Sequence, residues 1–299
     1  MVALITRPAA VPPRLTFQRG FTLMELAMVM FIFALLLGGM ILPLSAQNEL
    51  RRQAETQKTL ADARDALIGF AMINGRLPCP ASTASNGRES FCGNQSGACV
   101  VTTNRDSPGA ADHGRCSNPH DGFFPAASLG FTPVDSQGYA IDGWGEDTVN
   151  RLRYAITDVA HAPAATTAYC QPSGGTGTTA FFPFTCPNGM KEIFSAVNSS
   201  DLRICNSGTN VTNVGTATAD CSAGNALATD AVAIIYSVGK TGGSVGSGTE
   251  ENHNPNPKST LAADRAFVDA PQSAAFDDSM VWISKSALFG RLVTAGKLP

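Results

Sequence analysis

From Phe21 to Leu44 the chain is apolar at nearly every position, and Glu25 is its one charge. These 24 residues would span roughly 36 Å as a helix, enough for a bilayer core of about 30 Å. Pro43 is a candidate kink. The pattern then becomes amphipathic. "QNELRRQAETQKTLADARDALIGFAMING" holds no Gly or Pro before Gly69, and Leu60, Ala63, Leu67, Phe70 and Ala71 recur at i, i+3 and i+4. One helix of about 50 residues is predicted from Phe21 to near Asn74. Its first half is apolar all round, and its second half should lay one face on a globular body. "GRLPCPAS" ends it, because two prolines flank Cys79.

Beyond residue 80 the periodicity changes. Residues 80–122 are rich in Ser, Asn, Gly and Asp and read as a loop. The aromatics of "DGFFPAASLGF" are expected to cover the helix stripe. Arg151 to Thr157 alternate as a strand does, with Leu152, Tyr154 and Ile156 on one face. Residues 160–190 have little pattern. "DLRICNSG" reads as a short strand, and "DAVAIIYSVG" (230–239) as a strand buried on both faces. A Gly-rich loop (239–260) precedes the strand "DDSMVWISK" (277–285), and a terminal helix or turn follows. The order predicts an α+β fold, a long helix packed on a small antiparallel sheet with disulfide-tied loops.

Composition sharpens this picture. The chain has 299 residues, 15% of them charged, and a formal charge of -3, which gives no sign of a nucleic-acid partner. Its eight cysteines, Cys79, Cys92, Cys99, Cys116, Cys170, Cys186, Cys205 and Cys221, all follow the apolar run. An even number in an exported region indicates disulfides, and no CxxC pair argues for zinc or thioredoxin chemistry. Local pairing is the simplest scheme: Cys92 with Cys99, Cys170 with Cys186, Cys205 with Cys221, and Cys79 with Cys116. Residues 1–20 carry Arg7, Arg14 and Arg19 and no acid, so this leader is expected to stay cytoplasmic and the rest to lie outside.

"RGFTLMELAMVMFIFALLLGG" resembles the class III leader junction of type IV pilins and type II secretion pseudopilins. Gly20 stands before the cut, Phe21 is the new N-terminus and Glu25 its fifth residue. The resemblance implies four parts: a cleaved leader (1–20), a transmembrane and filament-core half-helix (21–44), an amphipathic half-helix (45–74) and an exported pilin-like body (75–299). It implies a prepilin peptidase that cuts after Gly20 and methylates the Phe21 amine. It also implies an inner-membrane assembly platform and neighbouring pilin or pseudopilin subunits as partners. The subunit would sit in the inner membrane with a periplasmic body before joining a filament. Losing three arginines leaves 18 bases against 24 acids, taking the formal charge from -3 to -6. The resemblance also offers Glu25 a partner, because a carboxylate in hydrocarbon needs one and a neighbour's Phe21 amine would supply it.

Other short motifs bear on chemistry. Gly239-Lys240-Thr241 lacks the first glycine of a phosphate loop, since Ile234 stands there. Gly242 to Gly246 fits GxSxG, but no helix pattern follows the serine. "DHGRCSNPHD" gathers Asp112, His113, Cys116, His120 and Asp121 without a paired Cys motif. Major pseudopilins bind calcium between their last strands. The similar arrangement here implies Glu250, Glu251, Asp277 and Asp278 as ligands, with Asn252 as a further candidate. The competing reading is surface acids in a solvated loop.

The function expected is therefore a structural subunit, a minor pilin or pseudopilin, and not an enzyme. A binding module carried on a pilin stem, such as an adhesin, is the alternative.

Overall fold

The computed structural model describes residues 20–93, 99, 101–102, 113–145, 148–160, 182–187, 189–193, 200–214, 216, 218–242, 250, 253–254, 265–273 and 276–298, without the side chains of 37–45, 101–102 and 192–193. The chain divides into two compact units, one ending at Leu50 and one beginning at Arg51.

Helix α1 (Leu23–Asn74) is 52 residues long and continuous through Pro43. In the first unit its described side chains from Leu23 to Leu36 are exposed. Among the described residues no helix is long and apolar enough to cross a membrane, so the expected span over 21–44 is not reached within them. Its side chains at 37–45 lie outside that set.

In the second unit the stripe behaves as its spacing predicts. Leu60, Ala63, Leu67 and Ala71 are buried, and Phe70 is half-buried. The four buried residues pack on a four-stranded antiparallel sheet ordered β11-β9-β4-β3, while Phe70 lies under Arg76. The strands are β3 (Gly122–Phe123), β4 (Arg153–Ile156), β9 (Ala231–Ser237) and β11 (Ser279–Ser284). Leu152, Tyr154 and Ile156 share this core with the helix stripe, as the alternation requires. Phe124 joins them, but Phe123 packs instead on Tyr139 in a separate cluster. Helix α4 (Lys285–Thr294), capped by Ser284, closes the same core with Leu288, Phe289 and Leu292. Each such buried side chain contributes about 1.5–3 kcal/mol of transfer free energy.

All seven residues of β9 are buried because its other face is covered too. The cover is a three-stranded sheet, β10-β5-β8, built from β5 (Arg203–Cys205), β8 (Ala226–Ala228) and β10 (Ala266–Val268). Tyr236 meets Phe267 edge-on across this second core. The expectation of a single antiparallel sheet is corrected here. A second sheet exists, and its β10–β5 pair is parallel. The three short strands carry too little periodicity for sequence to reveal their pairing.

The remaining elements are small. They are β1 (Phe91–Cys92), paired with β2 (Val101–Thr102), and β6 (Val211–Thr212), paired with β7 (Asp220–Cys221). Helices α2 (Ala126–Leu129) and α3 (Gly189–Ile193) are one turn each.

Three of the expected disulfides are present: Cys79–Cys116, Cys92–Cys99 and Cys205–Cys221. Cys186 is also disulfide-bonded, and Cys170 lies outside the described residues. The first bridge ties the exit of α1 to the loop before β3, and the third ties β5 to β7.

Candidate functional site

The N-terminal junction is built by its own sequence. Gly20, Phe21 and Thr22 precede the helix, and α1 begins at Leu23. Thr22 Oγ1 accepts from the Glu25 backbone N–H at 3.2 Å, and Glu25 Oε2 accepts from the Thr22 N–H at 3.4 Å. This reciprocal pair is a capping box, in which N-cap and third helical residue satisfy each other's orphan donors. The Glu25 charge also lies at the positive end of the helix dipole. Ahead of it Phe21 is 84% exposed, and no atom crowds Gly20. Among the described residues nothing covers the Gly20–Phe21 peptide bond, one residue before a capped helix start. The exposed surface beyond it lies on all sides of the helix and includes Leu26, Phe31, Ile32, Phe33 and Leu36. So large a contiguous apolar surface marks a membrane or protein contact.

Residues 15–41 match the family model described as the prokaryotic N-terminal methylation motif. The chain carries the class III signal of type IV pilins and pseudopilins. No curated protein and no solved structure matches the chain. Gly20, Phe21 and Glu25 all fall inside the matched residues. Thr22 was not singled out by sequence reasoning, although the Thr-x-x-Glu spacing before an apolar run was there to be read.

The acids expected to gather around calcium are dispersed among other tasks. Glu250 accepts from Ser207 Oγ at 2.6 Å and from the Gly208 N–H. Asp277 accepts from the N–H groups of Lys240 and Thr241 at 2.7 and 3.0 Å, and from Thr241 Oγ1 at 2.7 Å. Asp278 is buried and accepts from Asn254 Nδ2 at 2.8 Å. Glu251 and Asn252 lie outside the described residues. Among the described residues, no three His, Cys, Asp or Glu side chains gather as a metal site. In the Gly239-Lys240-Thr241 turn the Lys240 and Thr241 N–H groups go to Asp277 and the Gly239 N–H to Ser237 Oγ, where a phosphate loop would offer them to a ligand. The serine of the GxSxG pattern lies outside the described residues.

The His and Cys residues of the 112–121 segment also separate. His113 Nδ1 accepts from the Arg115 N–H, Cys116 is in a disulfide, and Asp121 pairs with Arg153 at 3.1 Å. Asp112 lies outside the described residues. His120 meets Asp201 at 3.3 Å, and Asp201 also takes Arg265 at 2.9 Å and Thr157 Oγ1 at 2.6 Å. This buried knot joins the ends of β4, β5 and β10. Beside it, burial pushes the Asp158 carboxyl up to about 6.

A second buried carboxylate holds the body to α1. Asp142 accepts from Ser237 Oγ at 2.5 Å and from the Trp144 N–H at 2.8 Å. Burial pushes it up to about 6 as well. The loop it shapes reaches the helix: the Gly143 N–H donates to Thr56 Oγ1 and Arg52 donates to the Trp144 carbonyl. Trp144 takes part in this contact through its backbone carbonyl and N–H.

Proposed function

We propose that this protein is a filament subunit of the pilin and pseudopilin kind, cut after Gly20 and assembled through its N-terminal helix. The methylation motif over residues 15–41 carries the reading. Hydrolysis of the Gly20–Phe21 bond leaves a carboxylate on Gly20 and an amine on Phe21, and methylation then acts on that amine. The open junction and the exposed apolar helix are what such processing and packing need. The new amine arises four residues before Glu25, and in a filament the Glu25 of one subunit pairs with the amine of the next. That buried pair sets the axial register. The prepilin peptidase, an inner-membrane platform and other subunits are the partners, and the apolar run holds the subunit in the inner membrane until assembly. The large disulfide-tied body fits a minor or tip subunit, because bulk on every subunit would crowd a filament surface.

Mass spectrometry of the N-terminal peptide from native membranes tests the reading. A peptide beginning at Phe21 with one added methyl supports it. A peptide retaining residues before Gly20 refutes it. Glu25→Val should leave membrane insertion intact and impair recruitment into filaments; normal recruitment would remove the role given to Glu25.

A further inference from the structure

One end of the seam between the two sheets is closed by charge, and Asp201 is its centre. Thr157 Oγ1 and the Asp158 N–H, just past β4, donate to Asp201 Oδ1 at 2.6 and 3.1 Å. His120, shortly before β3, meets Oδ2 at 3.3 Å, and Arg265, next to the start of β10, meets it at 2.9 Å. The four-stranded sheet thus supplies Thr157, Asp158 and His120, and the three-stranded sheet supplies Asp201 and Arg265. Behind the knot, Ala155 and Ile234 share a core with Leu202, Ile204 and Phe267. The neighbouring tie across the seam, from Ser200 Oγ to the Ala231 carbonyl, carries no charge.

Asp158 differs from Asp201. Its N–H is bonded, but its carboxyl makes no hydrogen bond or ion pair among the described residues. The charged and titratable groups that face it are His120, Asp201, Arg265 and Arg115. Burial, with the Asp201 charge added, outweighs His120, Arg265 and Arg115 and pushes the Asp158 carboxyl up to about 6. Burial opposes the Asp201 charge too, but His120, Thr157 and Arg265 hold that carboxyl below the ordinary range. Asp201 is therefore the fixed anion of the knot, and Asp158 is the carboxyl that exchanges its proton.

We propose that Asp158 is a proton-operated latch on the seam between the two sheets. Protonated, it leaves Asp201 as the one anion of the knot, and the end of β4 stays closed on β5 and β10. Ionised, it sets a second partly buried carboxylate beside Asp201. The seam then opens more often, because opening returns that charge to water. The raised folded-state value fixes the sign. Closure is favoured fully below about pH 4 and loses that support as pH rises through about 6. The latch answers to the pH around the body and does not depend on filament assembly.

Hydrogen exchange of the full chain in detergent, read by peptide mass spectrometry and corrected for intrinsic rates, tests it. Peptides covering β5 and β10 should open about tenfold more at pH 7.5 than at pH 5. That is the linkage for one carboxyl moving between 3.8 and about 6. Asp158→Asn keeps the shape of the neutral carboxyl and should remove this response. Asp158→Ser should remove it too, and serves if the first variant does not fold. Asp142→Asn, outside the knot, should leave it in place. Equal protection of β5 and β10 in the parent at both pH values would overturn the proposal. So would a response that survives loss of the Asp158 carboxyl, or one that Asp142→Asn reduces as much.

Discussion

The backbone N–H of Gly143 donates to Thr56 Oγ1 at 3.0 Å, across 87 residues of sequence. Thr56 Oγ1 in turn donates to the Arg52 carbonyl at 3.0 Å, so one hydroxyl joins loop and helix. The approach is so close that a Cβ at Gly143 would collide with the Arg52 carbonyl oxygen. Gly143→Ala should therefore cost about 1–3 kcal/mol, the range for overpacking a tight contact. Thermal unfolding of the purified chain reads this as a lowered Tm. An unchanged Tm would mean the loop moves aside freely.

Asp142 supplies a pH dependence. Its carboxyl has a folded-state pKa of about 6 against an ordinary value of 3.8. The folded state thus binds the proton more tightly than the unfolded chain. That stabilisation is complete below about pH 4 and is lost as pH rises through about 6. Asp142→Asn should flatten the fall in stability over that window relative to the parent, as read by denaturant titration at each pH. Asp158 titrates in the same range and will leave a residual slope.

Arg76 and Glu89 form a buried two-pronged pair, at 2.6 and 2.9 Å, just beyond the end of α1. Arg76 also lies over the Phe70 and Phe91 rings. Glu89→Gln leaves the guanidinium without its counter-charge and should cost about 3–5 kcal/mol. Replacing both residues by Leu should cost less than the two single losses summed, because no lone charge stays buried. A double-mutant cycle on unfolding free energies checks this.

The Cys79–Cys116 bridge closes 37 residues of chain at the exit of the helix. Removing it with a Cys79→Ser, Cys116→Ser pair should cost about 3–4 kcal/mol through the freed unfolded chain. Loss of Cys92–Cys99, which closes only 7 residues, should matter less. Comparing the two variants by chemical denaturation separates the effects.

Sequence alone determined the junction, the long helix, its buried stripe and the main strands. Each is written in local order: Gly20 to Glu25 in six residues, Leu60 to Ala71 at helical spacing, and an apolar run that became β9. The three bridges described were also reachable, because pairing Cys92 with Cys99 and Cys205 with Cys221 as local loops leaves Cys79 to Cys116. Only the tertiary structure decided the second sheet and its parallel β10–β5 pair, whose strands are three residues each. It alone decided what the acids do. Glu250 and Asp277 sit beside Gly and Ser-rich turns whose N–H groups need acceptors, and the fold spent them there. It alone brought Asp158 to Asp201, since a knot made by residues 43 apart in the chain leaves no periodic trace. Short-range patterns specify backbone elements because they act within one turn or one strand. The partners of a buried carboxylate are chosen by packing across the whole chain.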